Sequence, residues 1–213
     1  MKRILLGSVA LALSASMALA QVNAVPQTGV TLGYLAKNTF SSSFYGLAPA
    51  SSATDVVCIA GSATKVVRVQ RIVISGTSGT LVTLPLIVLR RATADTGGTA
   101  ATTTANPGVT TQIASRDTSQ APNSAATAVL ISYTANPTLN DSAPVYVDAA
   151  NATFPVTSAA VGPTATIFDW SRDIENNIQV PTLRGAAQQL CVNFGAISVS
   201  SGLVAGAITW TEE

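Results

Sequence analysis

Histidine is missing from all 213 residues. Its absence removes the Ser-His-Asp and Cys-His arrangements and most zinc and copper sites in one step. Charge is scarce too, with charged residues at 10% and no long block of one sign, so the chain lacks the makeup of a highly charged disordered protein. Eleven basic residues stand against ten acidic ones, which implies no electrostatic partner. Arg68, Arg71, Arg90 and Arg91 form the only local basic cluster. Without a basic stripe and interleaved aromatics the chain does not read as a nucleic-acid binder. Those arginines read as side chains snorkelling at strand edges, with a phosphate or partner contact as the alternative. Aromatics are few, at 5%, so a core has to be built from small and β-branched side chains. No glycine loop of the phosphate-cradling type precedes a helix. A two-carboxylate glycosidase needs no histidine, but most of the acids lie in Asn/Ser/Thr-rich turns and read as solvated. The expectation is a protein that is not an enzyme, with no catalytic residues, no cofactor and no metal.

What is present is β signal, concentrated between Thr54 and Arg91. Three apolar, β-branched runs, Asp55–Ala60, Lys65–Ser75 and Leu81–Arg90, are separated by the turn-forming stretches 61–64 and 76–79. Links this short permit antiparallel neighbours and exclude a parallel crossover. In the second run Val67 and Val69 share one face, whereas Ile72 and Ile74 fall on the opposite one. A β-bulge near Arg71 would bring both pairs into one core and bend the strand between two sheets. The third run is apolar on both faces and contains Pro85, which points to an edge position or a bulge. An exposed Leu84, Leu86 and Val88 face would drive self-association at about 1.5 kcal/mol or more per side chain.

The first twenty residues, MKRILLGSVALALSASMALA, open on Lys2-Arg3, continue with an apolar run and end on Ala18-Leu19-Ala20. This is the pattern of a secretory signal peptide, with cleavage expected before Gln21. The apolar run is interrupted and shorter than the ~20 residues of a membrane span, and no later stretch could cross as a helix. The expected location is therefore outside the cytoplasm, periplasmic or extracellular. Residues 21–52 read as an extended arm with one short strand near Gly29–Leu35, and the domain proper as 53–213.

From Ala92 to Ser124 the composition turns to Thr, Ala, Gly, Asn and Ser, which reads as a long exposed loop suited to recognition. Strands are expected at Ala125–Tyr133, Val145–Val147, Ala165–Trp170, Leu190–Phe194 and Gly206–Glu213, the last paired inside a sheet. Asp169, Asp173 and Glu175 lack the spacing of a calcium loop and read as a turn. The patterns at Asn140 and Asn151 that resemble glycosylation signals are too short to carry weight. The sum is an all-β, antiparallel β-sandwich, jelly-roll-like in type. Two cysteines, Cys58 and Cys191, sit in different expected strands. In an exported chain they suggest a disulfide, with two buried free thiols as the alternative.

The segments ATDVVCIAGSATKVVRVQRIVISGT, LRRATADTGGT, YTANPT, LRGAAQQLCVNF and ITWTEE resemble, in the same order, a group of small structural proteins of tailed-phage and prophage gene clusters. The likeness runs from about Ala53 to Glu213. It implies a virion-associated β protein, capsid-decorating or tail-associated, acting as a homo-oligomer, a trimer by that likeness, beside other virion proteins. It brings no catalytic residue. The alternative is a secreted cell-surface adhesin or carbohydrate-binding module, whose partners would be cell-surface proteins or glycans.

Overall fold

The computed structural model describes residues 38–101, 111–116, 126–157, 163–172 and 179–213. The leader, the strand expected near Gly29–Leu35, and Asp173 and Glu175 lie outside the described residues. Two six-stranded antiparallel sheets pack as a sandwich. The strands are β1 (Asn38–Leu47), β2 (Ala53–Ala60), β3 (Val67–Thr77), β4 (Val82–Arg91), β5 (Thr99–Ala100), β6 (Thr111–Ser115), β7 (Val129–Ser132), β8 (Val145–Phe154), β9 (Thr166–Asp169), β10 (Thr182–Leu183), β11 (Gln189–Ile197) and β12 (Leu203–Glu212).

The topology is a set of nested antiparallel pairs: β1 with β12, β2 with β11, β3 with β9 and β10, and β4 with β8. Successive pairs alternate between the sheets. In the first sheet β12 also joins β3, giving the order β10-β3-β12-β1-β6, with β9 beside β10 along the edge of β3. In the second sheet β11 also joins β4, giving β5-β7-β2-β11-β4-β8. This is the connectivity of a rolled-up hairpin, the jelly roll. The short links around β3 therefore do not make hairpins. They carry the chain from one sheet to the other, and β11 takes the place beside β2 that a meander would give to a sequence neighbour.

The bulge expected near Arg71 is present. Thr209 faces Arg71 and Trp210 faces Val69, so Gln70 is the extra residue. It brings Val67, Val69, Ile72 and Ile74 into the same core. The strand nevertheless stays within one sheet instead of bending across to the other, because β12 pairs it along its whole length. The terminal strand β12 lies inside the first sheet, between β3 and β1.

Four expectations change. The sandwich begins at Asn38, not at Ala53, because β1 lies within the stretch read as an arm and alternates Phe40, Ser42 and Phe44 into the interior. β8 runs on to Phe154, well past Val147. The segment from Ala92 to Ser124 is not one loop: β5 extends the second sheet through β7, and β6 extends the first through β1. The face formed by Leu84, Leu86 and Val88 is fully covered by the chain's own first sheet, each residue having 0% exposure. The driving force that this face would have given to association is therefore spent inside one chain.

The core is thin and mostly aliphatic, as the composition demands. Two aromatic pairs stiffen it: Phe40 stacks on Trp210 with ring centres 5.9 Å apart, and Phe154 meets Phe194 edge-on at 5.8 Å. At one end Glu212 turns inward. Its carboxylate accepts hydrogen bonds from the Thr127 and Ala128 backbone N–H groups, the Thr127 hydroxyl (2.7 Å) and the Trp210 indole N–H (3.0 Å). It thereby ties β12 in one sheet to the approach to β7 in the other, and several donors compensate the burial of its charge.

Candidate functional site

The pleat of the second sheet sends alternate side chains to opposite faces. Val57 and Ile59 of β2 and Leu190 and Val192 of β11 enter the core, so Cys58 and Cys191 point outward. They are directly opposite in the β2–β11 register and are joined by a disulfide, with a Cα–Cα separation of 4.0 Å. The bridge expected between them is present. It does not lie at the surface: both residues are fully buried beside Tyr133, and Ile131 packs against them.

The segment after β4 covers this outer face. A Cβ on Gly98 would collide with the side chains of Ile131 and Tyr133, so only glycine lets the strap lie this close. Gly97 turns the backbone ahead of it with φ of +91°. Beneath the strap Arg91 is 2% exposed. Its Nε donates to Asp55 Oδ2 at 2.6 Å and lies 3.0 Å from Asp95 Oδ2. Asn193 Nδ2 donates to the other Asp55 oxygen, and the Asp95 N–H donates to Gln189 Oε1 at 2.9 Å. Asp141 accepts the N–H of Ala92 at 2.6 Å and of Ala143 at 2.9 Å.

Two carboxylates share one guanidinium here, and their environment sets the protonation. Burial pushes the Asp95 pKa up to about 6, helped by the neighbouring Asp55, to which a protonated Asp95 hydrogen-bonds. For Arg91 burial pulls downward, but the hydrogen bond and charge of Asp55 outweigh it and leave the pKa raised. The Tyr133 hydroxyl is pushed up to about 12, first by burial and then by the Asp95 charge. The backbone N–H groups of Ala92 and Ala143 hold Asp141 below the usual carboxylate range.

Asp55, Cys58, Asp95 and Cys191 bring their potential ligand atoms within 4.8 Å of one another. The donor set does not fit a cation, because disulfide sulfur carries no thiolate charge and the Arg91 guanidinium already occupies the space between the two carboxylates as their ion-pair partner. This side of the sheet is a closed structural cluster held by ion pairs and the disulfide, although Asp95 Oδ2 and Gln189 Nε2 are buried in it without a hydrogen-bond partner.

The other side of the same strand end is open. A cleft of about 570 Å³ is lined there by residues of both sheets and of the segment leading into β10. Arg68 of β3 and Arg90 of β4 reach it from different sheets, and Arg184, just after β10, adds a third guanidinium. Trp170, half-buried and stacked on Phe168 with ring centres 6.1 Å apart, supplies an aromatic wall. Gln179, Gln188 and Thr182 add polar groups. Arg68 is paired with Glu213 at 3.0 Å, whereas Arg90 and Arg184 have no acidic partner among the described residues. The cleft is thus a positively charged, partly aromatic recess able to receive an anion.

The four clustered arginines of the sequence therefore separate. Arg68 and Arg90 line the cleft, Arg91 is locked under the strap, and Arg71 lies 3.9 Å from Asp169 at the sheet edge. Trp170 and Arg184 escaped sequence reasoning, since nothing local marks them and only the pairing of β3 with β9 and β10 brings them to Arg68. No protein-family model, curated protein or solved structure matches this chain.

Proposed function

We propose that the protein is a non-enzymatic interaction module working outside the cytoplasm, of the secreted adhesin or carbohydrate-binding type. The observation that carries this reading is the arginine- and tryptophan-lined cleft at the open end of a covalently tied sandwich. Its lining among the described residues offers cations, amides, a hydroxyl and an indole, which are groups that hold a ligand, and it offers no carboxylate pair to transform one. The disulfide agrees with an oxidising compartment and with the exported leader pattern. No helix among the described residues is long and apolar enough to cross a membrane. Fractionation of the producing cells with mass spectrometry of the native product tests the location. Protein outside the cytoplasm beginning at Gln21 is expected, and an intact Met1 in the cytoplasm would overturn the proposal.

The second reading is a virion-associated structural protein, capsid-decorating or tail-associated, acting as a homo-oligomer. The jelly-roll connectivity favours it, since that topology serves capsid as well as lectin domains. With Leu84, Leu86 and Val88 buried within one chain, a trimer would have to form through other surfaces. Light scattering at micromolar concentration decides whether the chain self-associates.

A further inference from the structure

From the cleft we infer a ligand class that deepens the binding-module reading and rests on it: a negatively charged sugar unit, carrying a carboxylate or a sulfate, of an acidic polysaccharide. Arg90 of β4 and Arg184, just after β10, both line the cleft, so an anion held there has two planar guanidinium forks available, groups whose shape suits carboxylate and sulfate oxygens. Neither is neutralised by an acid among the described residues, in contrast to Arg68 and Arg91.

Size and lining select the rest of the ligand. A volume of about 570 Å³ is far larger than an inorganic anion needs and is of the order of a small-ligand pocket. The face of Trp170 is an apolar platform for the C–H side of a sugar ring, while Gln179 and Thr182 can bond its hydroxyls. A nucleic-acid strand would need a basic track extending beyond one recess, and the chain's charges are almost balanced. One recess with two available guanidiniums fits one acidic sugar at a time.

The test uses the purified full chain with three probes: tri-galacturonate for the carboxylate, a sulfated disaccharide for the sulfate, and cellotriose as the neutral control. Titrations followed by calorimetry and by tryptophan fluorescence should show binding of at least one anionic probe, weakening as salt is added, and none of cellotriose. The two arms identify which anion is preferred. Arg90→Gln and Arg184→Gln, both at exposed positions, should each weaken binding about tenfold or more, the value of losing one charge-assisted hydrogen bond. Trp170→Phe should abolish the fluorescence change, because the only other tryptophan, Trp210, is sealed in the core. Arg71→Gln, outside the cleft, should bind as the parent does. Failure to bind either anionic probe, or undiminished binding by the Arg90→Gln/Arg184→Gln double variant, would overturn the inference. Extracytoplasmic protein that binds cellotriose but neither anion would remove this ligand class and leave the binding-module reading standing. Cytoplasmic retention would remove the reading itself.

Discussion

Arg90 and Arg91 are neighbours in β4, and the pleat sends them to opposite sides of one sheet. Arg91 is roofed by the 92–98 strap, shares two carboxylates and stands over the disulfide cluster. Arg90 faces the open cleft with no acidic partner among the described residues. Covalent chemistry and side-chain type are identical, so only the surroundings differ. Where the charge is enclosed and matched it fixes structure, and where it is solvated and unmatched it is available to a ligand. The same substitution at the two positions should therefore have unlike effects.

The largest effect should come from severing the closed side. Replacing both cysteines by alanine releases a loop spanning 133 positions and should cost on the order of 5 kcal/mol in the chain-entropy model. Denaturant unfolding of the variant beside the oxidised parent measures it. Arg91→Ala should follow, at about 3–5 kcal/mol, because two buried carboxylates are left without their cation. Arg90→Ala should stay within about 0.5 kcal/mol, as expected of an exposed residue away from any packed feature. Equal losses for the two arginines would erase the distinction drawn above. Next comes Gly98→Ala, expected to cost about 1–3 kcal/mol as the strap is pushed off Tyr133 and Ile131.

The closed side also answers to pH. Asp95 has a folded pKa of about 6, above its unfolded value, so the folded state holds the proton more tightly. Its protonation therefore adds stability that is complete below about pH 4 and is lost as pH rises through 6. Asp141 and Asp169 shift the other way, and their contributions are lost only as pH falls below the ordinary carboxylate range. Between pH 5 and 7 the thermal midpoint should fall by a few degrees, on the order of 1–2 kcal/mol. Asp95→Asn should flatten that slope, and a slope unchanged by the substitution would locate the titration elsewhere.

Local pattern carried some of this and long-range pairing carried the rest. The change of apolar phase between Val69 and Ile72 reveals the bulge, because a strand with two faces cannot otherwise bury both pairs. The strand β1 is hidden because Ser41, Ser42 and Ser43 read as linker, although Phe40 and Phe44 keep the period. Ser42 is fully buried all the same. The alternation of β2, β3 and β4 between sheets is not legible, since a link of a few residues can close a hairpin or cross the sandwich. The disulfide partners were legible by elimination, but their burial under a strap was not. The cleft depends on Arg68, Arg90, Trp170 and Arg184, residues far apart in sequence that only the nested pairing assembles.

That nesting also sets a timetable. β1 can complete its pairing only with β12, and Cys58 can meet its partner only once β11 exists, so the earliest strands must wait for the latest. A chain built from such distant pairings folds slowly, because loop-closure entropy is incurred before the contacts that reward it. The Cys58–Cys191 bridge then locks the β2–β11 register, and it does so only where the compartment is oxidising.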